Sequence, residues 1–453
     1  MSSIEEKIAS SITFDDIIKS SVLRQRVLFT IVMLIIYRLG SFVPLPGVNA
    51  SVIASTFSSF GKGLVDMFNI FTGGALQRMT IFALNIIPYI SASIIMSLLS
   101  SISPALMQLK KEGEIGHQKI NQYTRYLTVL ICATEAFGLA SYTQSIPNAV
   151  IDPGFSFTFT TVITLIAGTM LVMWMGEQIT KRGIGNGSSL IIFVGIVSSL
   201  PLSVFQIFDL SKVGQISVIG LIAILLFTFS MIFVVNFFDM AQRRVLVHYP
   251  NRGGRFGSNG SATYLPLKLN SAGVIPPIFA YTIITIPTTI MTIISRTGRA
   301  ASDSGFWLKF ASYMREDSIV YLLILSLLIL FFTFFYTAVQ FNVDETSENL
   351  KNYGAFIPGV RPGASTASYL DYVLTRITVV GAFFLVLITI LPITLKNSLG
   401  FPLIAGTSLL IVCSVVMETI SQIQSYLITN KYEDLIKKGS ASITGASRRF
   451  IRR

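Results

Sequence analysis

Charge is scarce in this chain. Only 12% of its 453 residues are Asp, Glu, Lys or Arg, about half of the ~25% usual in a soluble protein. So little charge excludes an ordinary water-soluble fold. The uncharged runs Tyr321–Phe335 and Gln215–Phe238 point the same way, because apolar stretches near ~18 residues read as membrane helices. Cysteine and histidine are scarcer still. Cys132 and Cys413 lie in apolar runs without ligand spacing, and His117 and His248 each stand alone. Neither a disulfide framework nor a metal site is expected. Without an H-E-x-x-H or G-x-S-x-G motif, no nucleophile, base or metal set assembles, and catalysis is not expected. A cleavable signal is missing too: the first 26 residues mix acids and bases, and no A-x-A-like site follows them.

What is present is a polytopic membrane pattern. Ten spans are predicted at 24–43, 76–101, 122–142, 155–178, 184–204, 215–239, 271–294, 319–341, 376–395 and 401–427. With both termini on one side, that side receives 25 Lys and Arg and the other 8, with Arg38 inside the first span completing the 34. The positive-inside rule then puts both termini in the cytoplasm. Ten spans divide into five and five, and a repeat with an odd number of spans must be inverted, although the halves show no residue-level self-similarity. The expected parts are a cytoplasmic segment 1–23, a half 24–204, a half 205–427 and a basic tail 428–453. In the first segment Ile4, Ile8 and Ile12 recur every four residues, as in an interfacial amphipathic helix; a mobile tail is the alternative.

Two cytoplasmic loops are long. In 240–270, Val245, Val247 and Tyr249 alternate before the turn residues of NRGG, which predicts a β-hairpin with Arg252 and Arg255 at its tip. In 342–375, IPGVRPG holds Arg361 between proline–glycine turn elements. That stiffened tip presents one guanidinium suited to carboxylates or phosphates on a partner, or is simply a solvated turn. RGIGNG, residues 182–187, resembles a phosphate loop only superficially. It lies between two spans rather than after a strand, so close helix–loop packing is expected.

Residues 64–72 pose a different problem. Leu64, Met67, Phe68 and Phe71 follow i, i+3, i+4, i+7, but nine helical residues reach only about 14 Å, half of the ~30 Å apolar core. Asp66 and Asn69 interrupt the apolar face, and Gly73–Gly74 are expected to end the helix and act as a hinge. In the following span Ile86 and Ile90 share a helical face with Pro88 between them. They form either a hydrophobic constriction that excludes ions by dewetting or ordinary packing. Arg38, Glu135 and Glu418 lie within spans, as ion or substrate ligands of a secondary transporter would, so a ten-span transporter of a small solute stands as the alternative function.

FNIFTGGAL, IFALNIIPYISASI, MWMGEQITKRGIGNG, LPLKLNSAGVIPPIFA, ETSENLKNYGAFIPGVRPG and GTSLLIVC together resemble the bacterial SecY family of protein-conducting channels, in order and over nearly the whole chain. The resemblance implies an all-α fold of ten transmembrane helices in two inverted five-helix halves around a central hourglass pore, with no catalysis and no cofactor. Secretory polypeptides bearing signal sequences would thread through it, and transmembrane segments would leave sideways into membrane lipids. It implies SecE and SecG as companion subunits, and the motor ATPase SecA or a ribosome as the driving partner. The location would be a bacterial plasma (inner) membrane. By motif position the pore ring would be Ile86, Ile90, Ile192, Ile278 and Ile411, with Ser188 at a position usually aliphatic. The plug would comprise Leu64, Asp66, Met67, Phe68, Asn69, Phe71, Gly73 and Gly74, within about 62–75. Ser91 and Asn270 would sit at the lateral gate, and Arg361, Arg252 and Arg255 would meet the motor or ribosome.

Overall fold

Polar caps set where several of the helices begin. In the computed structural model, which describes residues 20–60, 69, 71–214, 217–248, 262–284, 318–399 and 406–450, Ser20, Asn186, Ser217, Ser318 and Asn342 each accept a backbone N–H of the first turn. In chain order the helices are α1 (Ser21–Gly40), α2 (Ala50–Phe60), α3 (Ile87–Ile102), α4 (Pro104–Lys111), α5 (Glu114–Gln144), α6 (Phe155–Arg182), α7 (Gly187–Lys212) and α8 (Val218–Met240). The strands β1 (Gln242–His248) and β2 (Ala262–Lys268) follow. Then come α9 (Ile275–Ile284), α10 (Ile319–Gln340), α11 (Val343–Asn352), α12 (Ala364–Leu399) and α13 (Gly406–Phe450).

Among the described residues six helices, α6, α7, α8, α12, α13 and the α10–α11 run, are long and apolar enough to cross a membrane, and the bent pair α3–α4 counts as a seventh. The predicted spans one and three correspond to α1 and α5, which carry more polar residues. The seventh corresponds to α9 as far as Ile284, its remainder lying outside the described residues. The α3–α4 bend of 98° falls at Ser103, which is extended (ψ 120°) before Pro104, as the residue before a proline prefers.

The predicted second span, 76–101, is corrected. Its helix begins only at Ile87, and residues 72–86 form turns. Met79 and Asn85 both have positive φ (45° and 51°), which an α-helix cannot contain. The turn segment instead finds partners in the rest of the chain. Leu45 N donates to Met79 O at 2.9 Å and Ile81 N to Val43 O at 3.1 Å. Irregular backbone at membrane depth is tolerated where protein surrounds it, and here helical glycines make room. A Cβ on Gly168 of α6 would collide with Ile81 O, and one on Gly195 of α7 with Phe71 O.

The expected hairpin forms. β1 and β2 pair antiparallel from Gln242↔Lys268 to His248↔Ala262, and the alternating Val245 and Val247 turn inward, each at most 5% exposed. The second long loop joins it: His248 N donates to Phe356 O at 2.9 Å and Phe356 N to His248 O at 3.0 Å. Val245, Val247 and Leu267 share a core with Ala355, Ile357 and Leu370. Two loops separated in sequence thus make one body at the same end of the helices.

Candidate functional site

The largest apolar cluster draws on helices from both halves of the chain, and all five isoleucines of the expected ring meet in it. Ile86, immediately before α3, Ile192 on α7 and Ile411 on α13 are buried at 0%, 6% and 2% exposure, and Ile90 of α3 and Ile278 of α9 pack, partly buried, against the same cluster. Ser188 is half-buried in the first turn of α7. Its hydroxyl donates to Asn186 Oδ1 at 2.7 Å, so the helix cap satisfies it. It stands one turn before Ile192 and therefore shares its face.

Of the expected plug residues, Leu64, Asp66, Met67 and Phe68 lie outside the described residues. Asn69, Phe71, Gly73 and Gly74 are described. Phe71 belongs to the large cluster at 7% exposure. Asn69 knits the chain behind it: its Oδ1 accepts from Gln77 N and its Nδ2 donates to Gln77 Oε1, both at 3.1 Å. Gly73 and Gly74 have φ of +63° and +84°, the left-handed conformations that commonly end a helix.

At the expected gate, Ser91 donates to Ile87 O of its own helix at 3.2 Å. Asn270 is buried, and its Nδ2 donates to Asp239 Oδ1 at 3.0 Å, while the other carboxylate oxygen of Asp239 accepts from the Ser414 hydroxyl. One carboxylate at the end of α8 thereby ties the approach to α9 to α13. Apolar residues join α3 to α9 and α10: Ile94, Phe279 and Phe332 are buried together with Ile90, Leu98, Ile275 and Leu328 around them, and the two rings stack at 5.1 Å. The family resemblance implies a sideways exit between spans two/three and seven/eight, but these side chains were not named from the sequence. The signal was present as i, i+4 pairs at Ile90/Ile94, Ile275/Phe279 and Leu328/Phe332, but nothing in the chain says which pairs meet.

Arg361 is exposed on a tip held from below. Thr366 Oγ1 donates to Arg361 O at 2.9 Å and Ser347 Oγ to Gly363 O at 2.7 Å. The guanidinium itself makes no bond among the described residues. Arg252 and Arg255 lie outside them. RGIGNG serves packing, as expected: Ile184 N donates to Thr30 Oγ1 of α1, Gly185 N to Gln422 Oε1 of α13 and Gly187 N to Thr180 Oγ1 of α6, at 3.0, 2.9 and 2.9 Å. The acids that favoured a transporter do not converge. Glu418 is exposed on α13 and Glu135 lies on α5, with no group of three or more His, Cys, Asp or Glu around either among the described residues.

The SecY family model matches residues 80–420 of this chain. Protein translocase subunit SecY of Rickettsia bellii is 48% identical over 425 residues, covering 92% of this chain and 97% of that protein. The chain belongs to the SecY family. Solved structures agree in fold. One is described as showing that the plug domain of the SecY protein stabilises the closed state of the translocation channel and maintains a membrane seal. It superposes with TM-score 0.63 at 17% identity, covering 91% of this chain and 93% of the other. Sec61 in the canine ribosome–channel complex from the endoplasmic reticulum gives 0.62 at 17% identity, covering 91% and 94%. This SecY-family chain is therefore an all-α, multi-pass membrane protein and the channel subunit of a protein translocase, neither an enzyme nor a small-solute transporter.

Proposed function

We propose that Ile86, Ile90, Ile192, Ile278 and Ile411 form the constriction through which unfolded secretory polypeptides pass, and that α3 parts from α9 and α10 to release transmembrane segments into lipid. The observation that carries this reading is the convergence of the five side chains, from four separate stretches of chain, on one apolar cluster. An aliphatic ring excludes ions by dewetting while deforming around a passing chain. The two halves, 24–204 and 205–427, contribute on either side: Ile86, Ile90 and Ile192 from the first, Ile278 and Ile411 from the second. Residues about 62–75 act as the plug, a reading supported by the seal described for the plug domain of the structurally similar SecY.

The joined loops carry the contact with the driving partner, in this reading. Arg361 offers a guanidinium with no partner among the described residues, on a braced tip, suited to the carboxylates of a SecA-type motor or the phosphates of ribosomal RNA. The ribosome complex described for Sec61 supports that assignment. Arg252 and Arg255, which fall between β1 and β2 in the sequence, are assigned the same role. The lysine and arginine distribution puts this face and both termini in the cytoplasm of a bacterium whose inner membrane holds the chain, with SecE and SecG as companions. The test is conductance. Ile86→Asn and Ile278→Asn, each in the intact reconstituted complex, should raise the ion conductance of the idle channel in planar bilayers. Unchanged conductance in both would leave the isoleucines as ordinary packing. A stalled secretory chain should also crosslink to photoreactive residues placed at 86 and 278.

A further inference from the structure

Two polar side chains used by neither the expected constriction nor the expected plug converge on one short stretch of backbone. Asn85 is fully buried at φ +51°, a left-handed conformation that glycine takes freely and asparagine more readily than other residues. Its Nδ2 donates to Phe71 O, fourteen residues back, at 3.1 Å. Arg38, in the last turn of α1, donates from Nη1 to Gly73 O at 3.0 Å. Gly195 of α7 closes the other side: a Cβ there would collide with Phe71 O and stand 3.4 Å from Gly73 N.

Gly73 is correspondingly enclosed. A Cβ on it would lie 2.7 Å from Ser198 Oγ, 2.9 Å from Arg38 Nη1 and 3.0 Å from Gly195 Cα. Gly74 has space, yet its N–H donates to Asn69 O at 2.9 Å and its carbonyl accepts from Arg78 N at 3.3 Å. A hinge must change φ and ψ through a wide range, which needs room and few bonds to break. Gly73 lacks the room, and Gly74 would have to break two bonds.

We propose that Asn85 and Arg38 are positioning residues of the closed channel: acting through Phe71 O and Gly73 O, they fix residues 71–86 as a collar between α1 and α7, so Gly73–Gly74 is an anchor and plug movement stops at Asn69. This rests on the plug and constriction reading above. The collar also bears on the seal. Asn85 directly precedes Ile86, and Gly195 lies one turn beyond Ile192 on α7, so the bond to Phe71 O holds these two isoleucines at a fixed spacing. Asn85 is the more informative residue to change. Asn85→Gly keeps, and eases, the positive φ while deleting the amide, so the backbone path is retained and only the clamp is lost.

Paired spin labels in the intact complex in proteoliposomes test this. One label on α7, at Phe205→Cys, serves as reference for a second at Val65→Cys or at Arg78→Cys. When a stalled secretory chain occupies the channel, the 65–205 distance should change by at least one helical turn, about 5 Å, while the 78–205 distance holds. In Asn85→Gly and Arg38→Met the 78–205 distribution should broaden. The idle conductance should also rise about tenfold, the population shift that losing one net hydrogen bond gives, with translocation retained. Arg38→Lys, which keeps a donor, should return close to the unaltered protein. If 78–205 moves together with 65–205 in the unaltered protein, the glycines are a hinge and the proposal is overturned. If 78–205 and conductance are unchanged in both variants, the two residues hold nothing and it is equally overturned. If neither distance responds to the secretory chain, the plug reading itself fails, a result distinguishable from the other two.

Discussion

Single residues here do opposite kinds of work in a membrane. In the proposed reading the isoleucines of the large cluster exclude water by presenting nothing that binds it, whereas Arg361 serves through a guanidinium that has no partner among the described residues, over a braced backbone. Arg361→Glu should therefore abolish most motor-driven secretion in proteoliposomes while insertion and subunit assembly, read by co-purification, stay normal. Secretion at the unaltered rate would remove the arginine from the partner contact. At Gly187 the effect is steric. A Cβ there would collide with Gly176 O, so Gly187→Val must force α6 and α7 apart. The expected loss is about 1–3 kcal/mol, the usual range for overpacking a tight contact, seen as a lower denaturation midpoint of the purified complex. The packing role of RGIGNG was legible in the sequence. The roles of Asn85 and Gly195 were not, because positive φ and close backbone approach leave no mark on periodicity.

At the scale of elements, the apolar pattern located a helix for each of the ten spans but not the short α2, α4 and α11, and one span is instructive. The span drawn at 76–101 reads as largely apolar, yet residues 72–86 are turns because Asn85 and Met79 leave the helical region, the freed backbone bonds to residues 43–45, and the Asn85 side chain holds Phe71 O. An apolar stretch inside a membrane protein is helical only if it must satisfy its own backbone, and here neighbours do so instead. The α5–α6 pair shows a second element-level device. Arg125 grips Glu177 with two nitrogens, at 2.6–3.1 Å, with side chains 40% and 20% exposed. A double-mutant cycle with Arg125→Met and Glu177→Gln should give a coupling of about 1 kcal/mol, the upper end for partly exposed pairs. Coupling indistinguishable from zero would mean that helix packing alone sets this contact.

For the whole molecule, the contact of α3 with α9 and α10 is the seam that the proposed lateral exit requires to open. It rests on three buried side chains and one stacked ring pair, a small apolar contact for a joint between halves. A short bifunctional crosslink between cysteines introduced as Ile94→Cys and Phe279→Cys should stop membrane segments from partitioning into lipid, read by their protease accessibility, with reversal on reduction. Integration at the normal rate through a locked seam would place the exit elsewhere. Removing residues 62–72 should leave translocation largely intact while the idle channel leaks. The body formed by the hairpin and the second loop belongs to this scale as well. Asn270, just after β2, donates to Asp239 of α8, which also accepts from Ser414 of α13, so hydrogen bonds join this body to α8 and, through Asp239, to α13.

By itself the sequence determined that the chain lives in a membrane, where most of its helices run, that a hairpin stands between α8 and α9, and which family it belongs to. Each of those follows from local composition, spacing or motifs. Tertiary structure alone decided which isoleucines share one apolar cluster, that the two loops share a core, that Asp239 joins three segments and that Gly73 is enclosed. The physical reason is that such contacts are made between residues far apart in the chain, where a side chain's partner is chosen by packing and by the need to satisfy buried backbone groups, and neither requirement is written in any local pattern.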